Sequence, residues 1–100
     1  MARYAVHDIA EAAGFDSVVL IQADFYDFID SRLAIPLFHD LGLQIDDLIN
    51  PVLEVEQKHL LLKTEFLGPF SAHRLGRKVA TLDHKSYEIA RAVDRLMTGF

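Results

Sequence analysis

The side chains able to do chemistry are spread along this chain rather than gathered. Five histidines, His7, His39, His59, His73 and His84, could each offer a ring nitrogen to a metal. No two of them stand at a paired-ligand spacing, so each reads as a surface or half-buried histidine. Asp46 and Asp47 form an acid pair, and Asp24, Asp27 and Asp30 a triplet. Paired carboxylates can share acid–base work. The triplet, however, lies in "ADFYDFIDS", which reads as a polar loop, and solvated loop acids are expected. Ser17, Ser31, Ser71 and Ser86 lack the Gly-x-Ser-x-Gly turn that presents a nucleophile. "RLGRK" lacks the glycine pattern of a phosphate loop. The chain reads as one that binds rather than catalyses, with no metal and no other cofactor.

Composition narrows what it could bind. One hundred residues make one domain, spanning 1–100, and 51% hydrophobic with 25% charged residues is globular. The net charge of −5 argues against a direct nucleic-acid surface, which needs several Lys or Arg facing phosphates. The one basic cluster, Arg74, Arg77 and Lys78 in "HRLGRK", reads as a solvated loop. Any effect on DNA is expected to pass through another protein. No apolar run approaches the ~18 residues of a membrane span, and "MARYAVHDIAE" has no apolar signal region. With no cysteine there is no disulfide framework, which fits a cytoplasmic location.

The elements that must position a binding surface read as short strands followed by one helix. "RYAVH" alternates, with Tyr4 and Val6 on one face, and predicts a half-buried strand. "IAEAAGFD" reads as a loop or single turn, and "SVVLIQ" as a second strand. "RLAIPL" is strand-like, but Pro36 has no N–H to donate and belongs on an edge or at a bend. "HDLGLQIDDLIN" carries mixed signals, with room for a turn or two of helix. "PVLEVEQKHLLLKTEF" predicts a hairpin turning near Glu56 to Lys58, and "FSAHRL" and "KVATL" two short β segments around Gly76. A helix is predicted over 83–97, with Ile89, Val93, Leu96 and Met97 on one apolar stripe, Asp83 as its cap and Gly99 as its stop. The whole suggests a mostly β, α+β fold: a small antiparallel barrel with an appended helix. Phe100 either clasps back on Val93 or Met97, or forms with Gly99 a projecting tip that another protein grips.

Three stretches resemble the CcdB-type toxins of bacterial toxin–antitoxin modules. "RYAVH" is similar to the family's first strand, and "VLIQADFYDFIDSRLAIPL" to its central run ending in Ile-Pro-Leu. "DHKSYEIARAVDRLMTGF" is similar to its C-terminal helix and Gly-apolar end, and "PVLEV" fits a further family strand. The resemblance covers essentially the whole chain. It implies an SH3-like β-barrel with extra strands and one C-terminal helix, forming a symmetric homodimer. It implies no catalysis: the toxin dimer wedges into the DNA gyrase A subunit and traps the enzyme on cut DNA. A disordered CcdA-like antitoxin wraps the toxin and releases gyrase, and the pair represses its own operon with the antitoxin reading DNA. Carried over by position, the gyrase-binding residues are Thr98, Gly99 and Phe100 at the terminus, Asp94 on the helix, Ala23, Phe25 and Tyr26 after the second strand, and Arg3, Tyr4 and His7 on the first. The dimer interface is expected around Leu96 and Met97. One departure stands out: the best-known members carry a tryptophan where this chain has Thr98, so a cation–π contribution of ~1–2 kcal/mol per ring is absent. Two alternatives follow: a non-toxic CcdB-like homologue acting as an antitoxin decoy or protein-binding module, and an unrelated small barrel that binds a peptide or ligand.

Overall fold

A computed structural model describes residues 2–12 and 14–99, apart from the side chains of Glu11, Ala12 and Phe25. Over these residues the chain forms β1 (Ala5–Ala12), β2 (Phe15–Leu20), β3 (Ser31–Phe38), β4 (Val52–Val55), β5 (Lys58–Leu62), β6 (Gly68–Ser71), β7 (Leu75–Thr81) and α1 (Ser86–Thr98). All pairings are antiparallel, in the order β4-β5-β3-β2-β1-β7, with β6 also on β3. Register shifts in the β1–β2, β1–β7 and β2–β3 ladders bend the strands, and the sheet curls into a half-barrel. The result is the α+β, SH3-like arrangement the sequence predicts. No described helix is long and apolar enough to cross a membrane.

The central strand is where expectation and structure part most clearly. β3 carries Pro36 buried, opposite Val18 of β2, and not on a sheet edge. Its other side changes partner along its length: Ser31 to Ala34 pair with β6, and Leu37 and Phe38 with β5. The Pro36 carbonyl accepts from Lys63 N–H, just past β5, so its missing donor falls in the gap between the two partners. A proline is tolerated mid-sheet because the ladder there is already interrupted.

"IAEAAGFD" also departs from its expected loop. Ile9 to Ala12 continue β1, and Ala12 pairs with Phe15 across a tight turn. Gly14 makes that turn possible with φ of 92°, and a Cβ there would lie 2.8 Å from the Phe38 ring. Ala5, Val6 and His7 are all buried, so β1 is not half-buried. It lies between β2 and β7, and apolar clusters sit on both faces. Val6 packs with Val19, Ile35 and Leu53 on one, and Ile9 with Val18, Leu20 and Ala34 on the other.

The β4–β5 hairpin forms as predicted, with Glu56 and Gln57 both at positive φ (51° and 68°), the geometry of a tight two-residue hairpin turn. The segments around Gly76 do not separate there. A 3-10 turn at Ala72–Arg74 divides them, and β7 runs through Gly76 as one strand paired with β1. Arg77 and Lys78 therefore lie exposed on an edge strand and not in a loop, where charge discourages pairing with other chains.

Helix α1 closes the open side of the curl with Ile89 and Ala92, both fully buried in the main cluster. Burying Ile89 contributes about 1.5–3 kcal/mol. Asp83 does not cap the helix: a 3-10 turn at Asp83–Lys85 intervenes, and its carboxylate accepts from Thr81 Oγ1 at 3.0 Å. The first turn is served by Glu88, which pairs with Lys85 at 3.1 Å and complements the helix dipole. At the other end Gly99 takes the left-handed conformation, φ 79°, and donates to the Arg95 carbonyl, as predicted. The apolar stripe leaves the core before this point: Leu96 is 37% exposed and Met97 71%.

A polar knot fastens the long 39–51 connection. Asn50, fully buried, donates to the carbonyl of Leu62 at 2.9 Å and to Glu65 Oε1 at 2.7 Å, and accepts from Ile45 N–H at 2.8 Å. Lys63 Nζ reaches Glu65 Oε2 at 2.8 Å and the Leu43 carbonyl at 2.9 Å. Burial pushes the Glu65 carboxyl up, but the hydrogen bonds from Lys63 and Asn50 outweigh it and hold the group below its ordinary value. A lowered folded-state pKa gives stability that is present above the unfolded value and lost as pH falls through the folded one. Glu65→Gln is therefore expected to lower Tm at neutral pH and to flatten its decline through the carboxylate range. Melts from pH 7 down to pH 3 check this; parallel curves for the two proteins would refute it.

Candidate functional site

Three segments distant in sequence meet beside α1. Tyr4, at φ of 67°, is pinned at both backbone groups: its N–H donates to the Leu20 carbonyl at 2.7 Å, and its carbonyl accepts from Leu82 N–H at 2.8 Å. This ties the N-terminal turn to the end of β2 and to the residue before the 3-10 turn that leads into the helix. Arg3 reinforces the join. Its backbone N–H donates to Asp24 Oδ1 at 2.6 Å, its Nε to the Ile21 carbonyl at 3.0 Å, and its guanidinium lies 4.8 Å over the Tyr4 ring. Between these segments and the helix runs a groove of about 100 Å³, with an apolar lining of Tyr4, Ile21, Ile89, Ala90 and Val93 and with Arg3 and Asp94 among its walls. Next to it the 3-10 turn Asp24–Tyr26 starts from exposed Ala23, and exposed Tyr26 sits with its ring 6.2 Å from that of Phe28.

A concave apolar surface with one cation and one anion on its rim is suited to taking an apolar side chain of another molecule. Its described residues show no acid–base pair within hydrogen-bond reach. The family model described as CcdB protein matches residues 3–99, so its match includes every described segment of this face.

The chain belongs to the CcdB family. That family consists of toxin–antitoxin proteins that bind and poison gyrase rather than catalyse a reaction. No curated protein gives a match.

Set against the residues carried over from CcdB, the structure unites Arg3, Tyr4 and Asp94 around one groove, with Ala23 and Tyr26 on the adjoining turn. Thr98 and Gly99 lie exposed one turn beyond Asp94, and Thr98 Oγ1 donates back to the Asp94 carbonyl at 2.7 Å. The Phe25 side chain and the whole of Phe100 lie outside the described residues. His7 does not join the face. It is 7% exposed, its Nδ1–H donates to the Gly76 carbonyl at 3.0 Å, and it serves the β1–β7 ladder. The alternation of "RYAVH" puts His7 on a face of β1 but does not reveal that β7 pairs beside it and that the Gly76 carbonyl takes its ring N–H.

Four groove residues escaped the sequence reading. Ile89 and Val93 look like pure core in the helical stripe, and they are core on one side; their other edge lines the groove. Ala90 and Ile21 carry no signal of their own. The apolar pair Phe28–Ile29, between two aspartates, was the one hint that this loop meets something other than water.

Proposed function

We propose that this chain is the toxin of a type II toxin–antitoxin module. It binds the DNA gyrase A subunit, poisons it by trapping the cleaved-DNA complex, and is neutralised by a cognate disordered CcdA-like antitoxin. The observation that carries this reading is the convergence of Arg3, Tyr4 and Asp94 on one apolar groove beside the exposed end of α1. The acidic net charge is consistent with it, because gyrase holds the DNA and the toxin need not. The same reading makes the chain a cytoplasmic homodimer. Leu96 and Met97, apolar and outward on the last turn, are its proposed contact, and a two-fold axis there presents two copies of Thr98, Gly99 and Phe100.

Thr98 favours a second reading. Its hydroxyl is turned onto its own helix and it offers no ring to a gyrase cation, so a homologue that binds its partners without trapping gyrase would look the same. Purified gyrase with supercoiled DNA separates the two. The poison reading expects linear, protein-linked DNA when the chain is added, and its disappearance when an antitoxin segment follows. Gyrase that binds the chain yet accumulates no cleaved DNA supports the non-toxic homologue instead.

A further inference from the structure

Arg32 occupies a buried position of β3, opposite Phe70 of β6. An arginine is costly there unless its N–H groups find acceptors. The guanidinium turns to the loop before β3. Nη2 donates to the Asp27 carbonyl at 2.6 Å, Nη1 to the carbonyls of Ile29 and Ser31, and Nε faces the Asp27 carboxylate at 3.5 Å. The other flank of the same loop is held by Gln22, whose Nε2 donates to the Tyr26 carbonyl at 3.0 Å while its Oε1 accepts from Leu33 N–H at 3.1 Å. Two side chains thus fix the backbone from 26 to 31.

That fixed backbone carries large apolar groups into water. Phe28 is 77% exposed, and Tyr26 and Ile29 are exposed beside it. A link between β2 and β3 needs neither the clamp nor the exposed rings. Together they have the construction of a preorganised contact, in which the cost of ordering is met before the partner arrives. Asp24 and Asp30 lie exposed on the same loop, whereas Asp27 is answered from inside by Arg32. The matching surface is therefore apolar with a basic rim, and a DNA-handling subunit has basic surface in plenty.

We propose that Arg32 is a positioning residue: with Gln22 it clamps the 26–31 loop so that Phe28 forms a further contact to the gyrase A subunit. This rests on the gyrase reading above.

A double-mutant cycle on the full chain tests it, with Arg32→Lys, Phe28→Ala and the pair measured for affinity to gyrase A, melting and amide exchange. Arg32→Lys keeps the charge but loses the forked donor set. Its loop amides should exchange at least about tenfold faster while the β4–β5 amides stay unchanged, and affinity should fall about tenfold. Phe28→Ala should also cost about tenfold, and the double variant little more than either, because one residue acts through the other. A merely structural arginine would give losses that multiply. Should Arg32→Lys not fold, Gln22→Met removes the opposite clamp without touching a buried charge and must show the same coupling. Multiplying losses, or unchanged affinity with faster loop exchange, overturns the proposal. If the wild-type chain fails to bind gyrase A, the gyrase reading falls and takes the Phe28 contact with it, whereas loop exchange still decides whether Arg32 is the clamp.

Discussion

Ala90→Arg is expected to weaken binding to gyrase A by about a hundredfold or more and to leave the melt within about 2 °C of the parent, the equivalent of roughly 2.7 kcal/mol of lost affinity. Ala90 is half-buried on the groove wall, between the side chains of Ile89 and Val93. Arginine is a good helix former, so α1 should persist. Its long side chain would lie across Tyr4 and Ile21 and occupy the groove. It would also add a second cation near Arg3, altering the rim charge that a partner meets. Desolvated central pockets of this kind carry most of the energy of an interface, so filling one should cost far more than altering its rim. Titration calorimetry against the gyrase A subunit measures the effect. Arg91→Ala, which only removes a guanidinium stacked 5.6 Å over the exposed Tyr87 ring, serves as the neighbouring control. Full affinity in Ala90→Arg would show that the groove is not part of the docking face.

The largest stability loss is expected at Asn50. Asn50→Ala would leave the Leu62 carbonyl without its buried side-chain donor, remove the acceptor of Ile45 N–H and take a hydrogen bond from Glu65. Unsatisfied buried groups cost about 1–3 kcal/mol each, and partial relaxation should bring the sum to about 2–4 kcal/mol. For a domain of this size that corresponds to a fall in Tm of roughly 10 °C or more. Gln44→Ala, which removes one bond to the Asn50 carbonyl at the loop surface, should cost much less. Thermal and urea melts of both variants provide the comparison. A drop of under about 3 °C for Asn50→Ala would mean that water replaces the amide and that the knot is not what fastens the loop.

The parts of the fold that were legible in the sequence are those set by local chemistry. The Glu56–Gln57 turn, the β2 run, the helix and the Gly99 stop are fixed by neighbours in the chain. The parts that were not legible depend on distant partners. Pro36 looks like an edge residue until β6 and β5 are seen to meet beside it. Ile9 to Ala12 look like a loop because nothing local says that Ala12 pairs back with Phe15. Asp83 has the right residue type for a cap, but Thr81 is close enough to take its carboxylate. The site divides in the same way. Family resemblance points to Arg3, Tyr4 and Asp94, and the fold brings these three to one groove. It also points to His7, which is buried with its ring hydrogen-bonded to the Gly76 carbonyl of β7, away from the groove. Arg32 sits unremarked inside a strand-like "RLAIPL", because nothing in that pattern says where a guanidinium will point.

The pairing of the first strand with the last has a consequence for synthesis. Ala5 waits for Thr81, and Tyr4 for Leu82, before the sheet gains its final edge and the helix its seat. About 76 residues separate Ala5 from its partner, which is on the order of 4–15 s of translation at ~5–20 residues per second. The groove needs segments far apart in the chain, since Arg3 and Tyr4 form one wall and Ala90, Val93 and Asp94 the other. A nascent chain therefore lacks a complete groove until the segment through Asp94 has been made. On the reading proposed above, a partner that needs both walls of the groove can engage this chain only after the two segments have met.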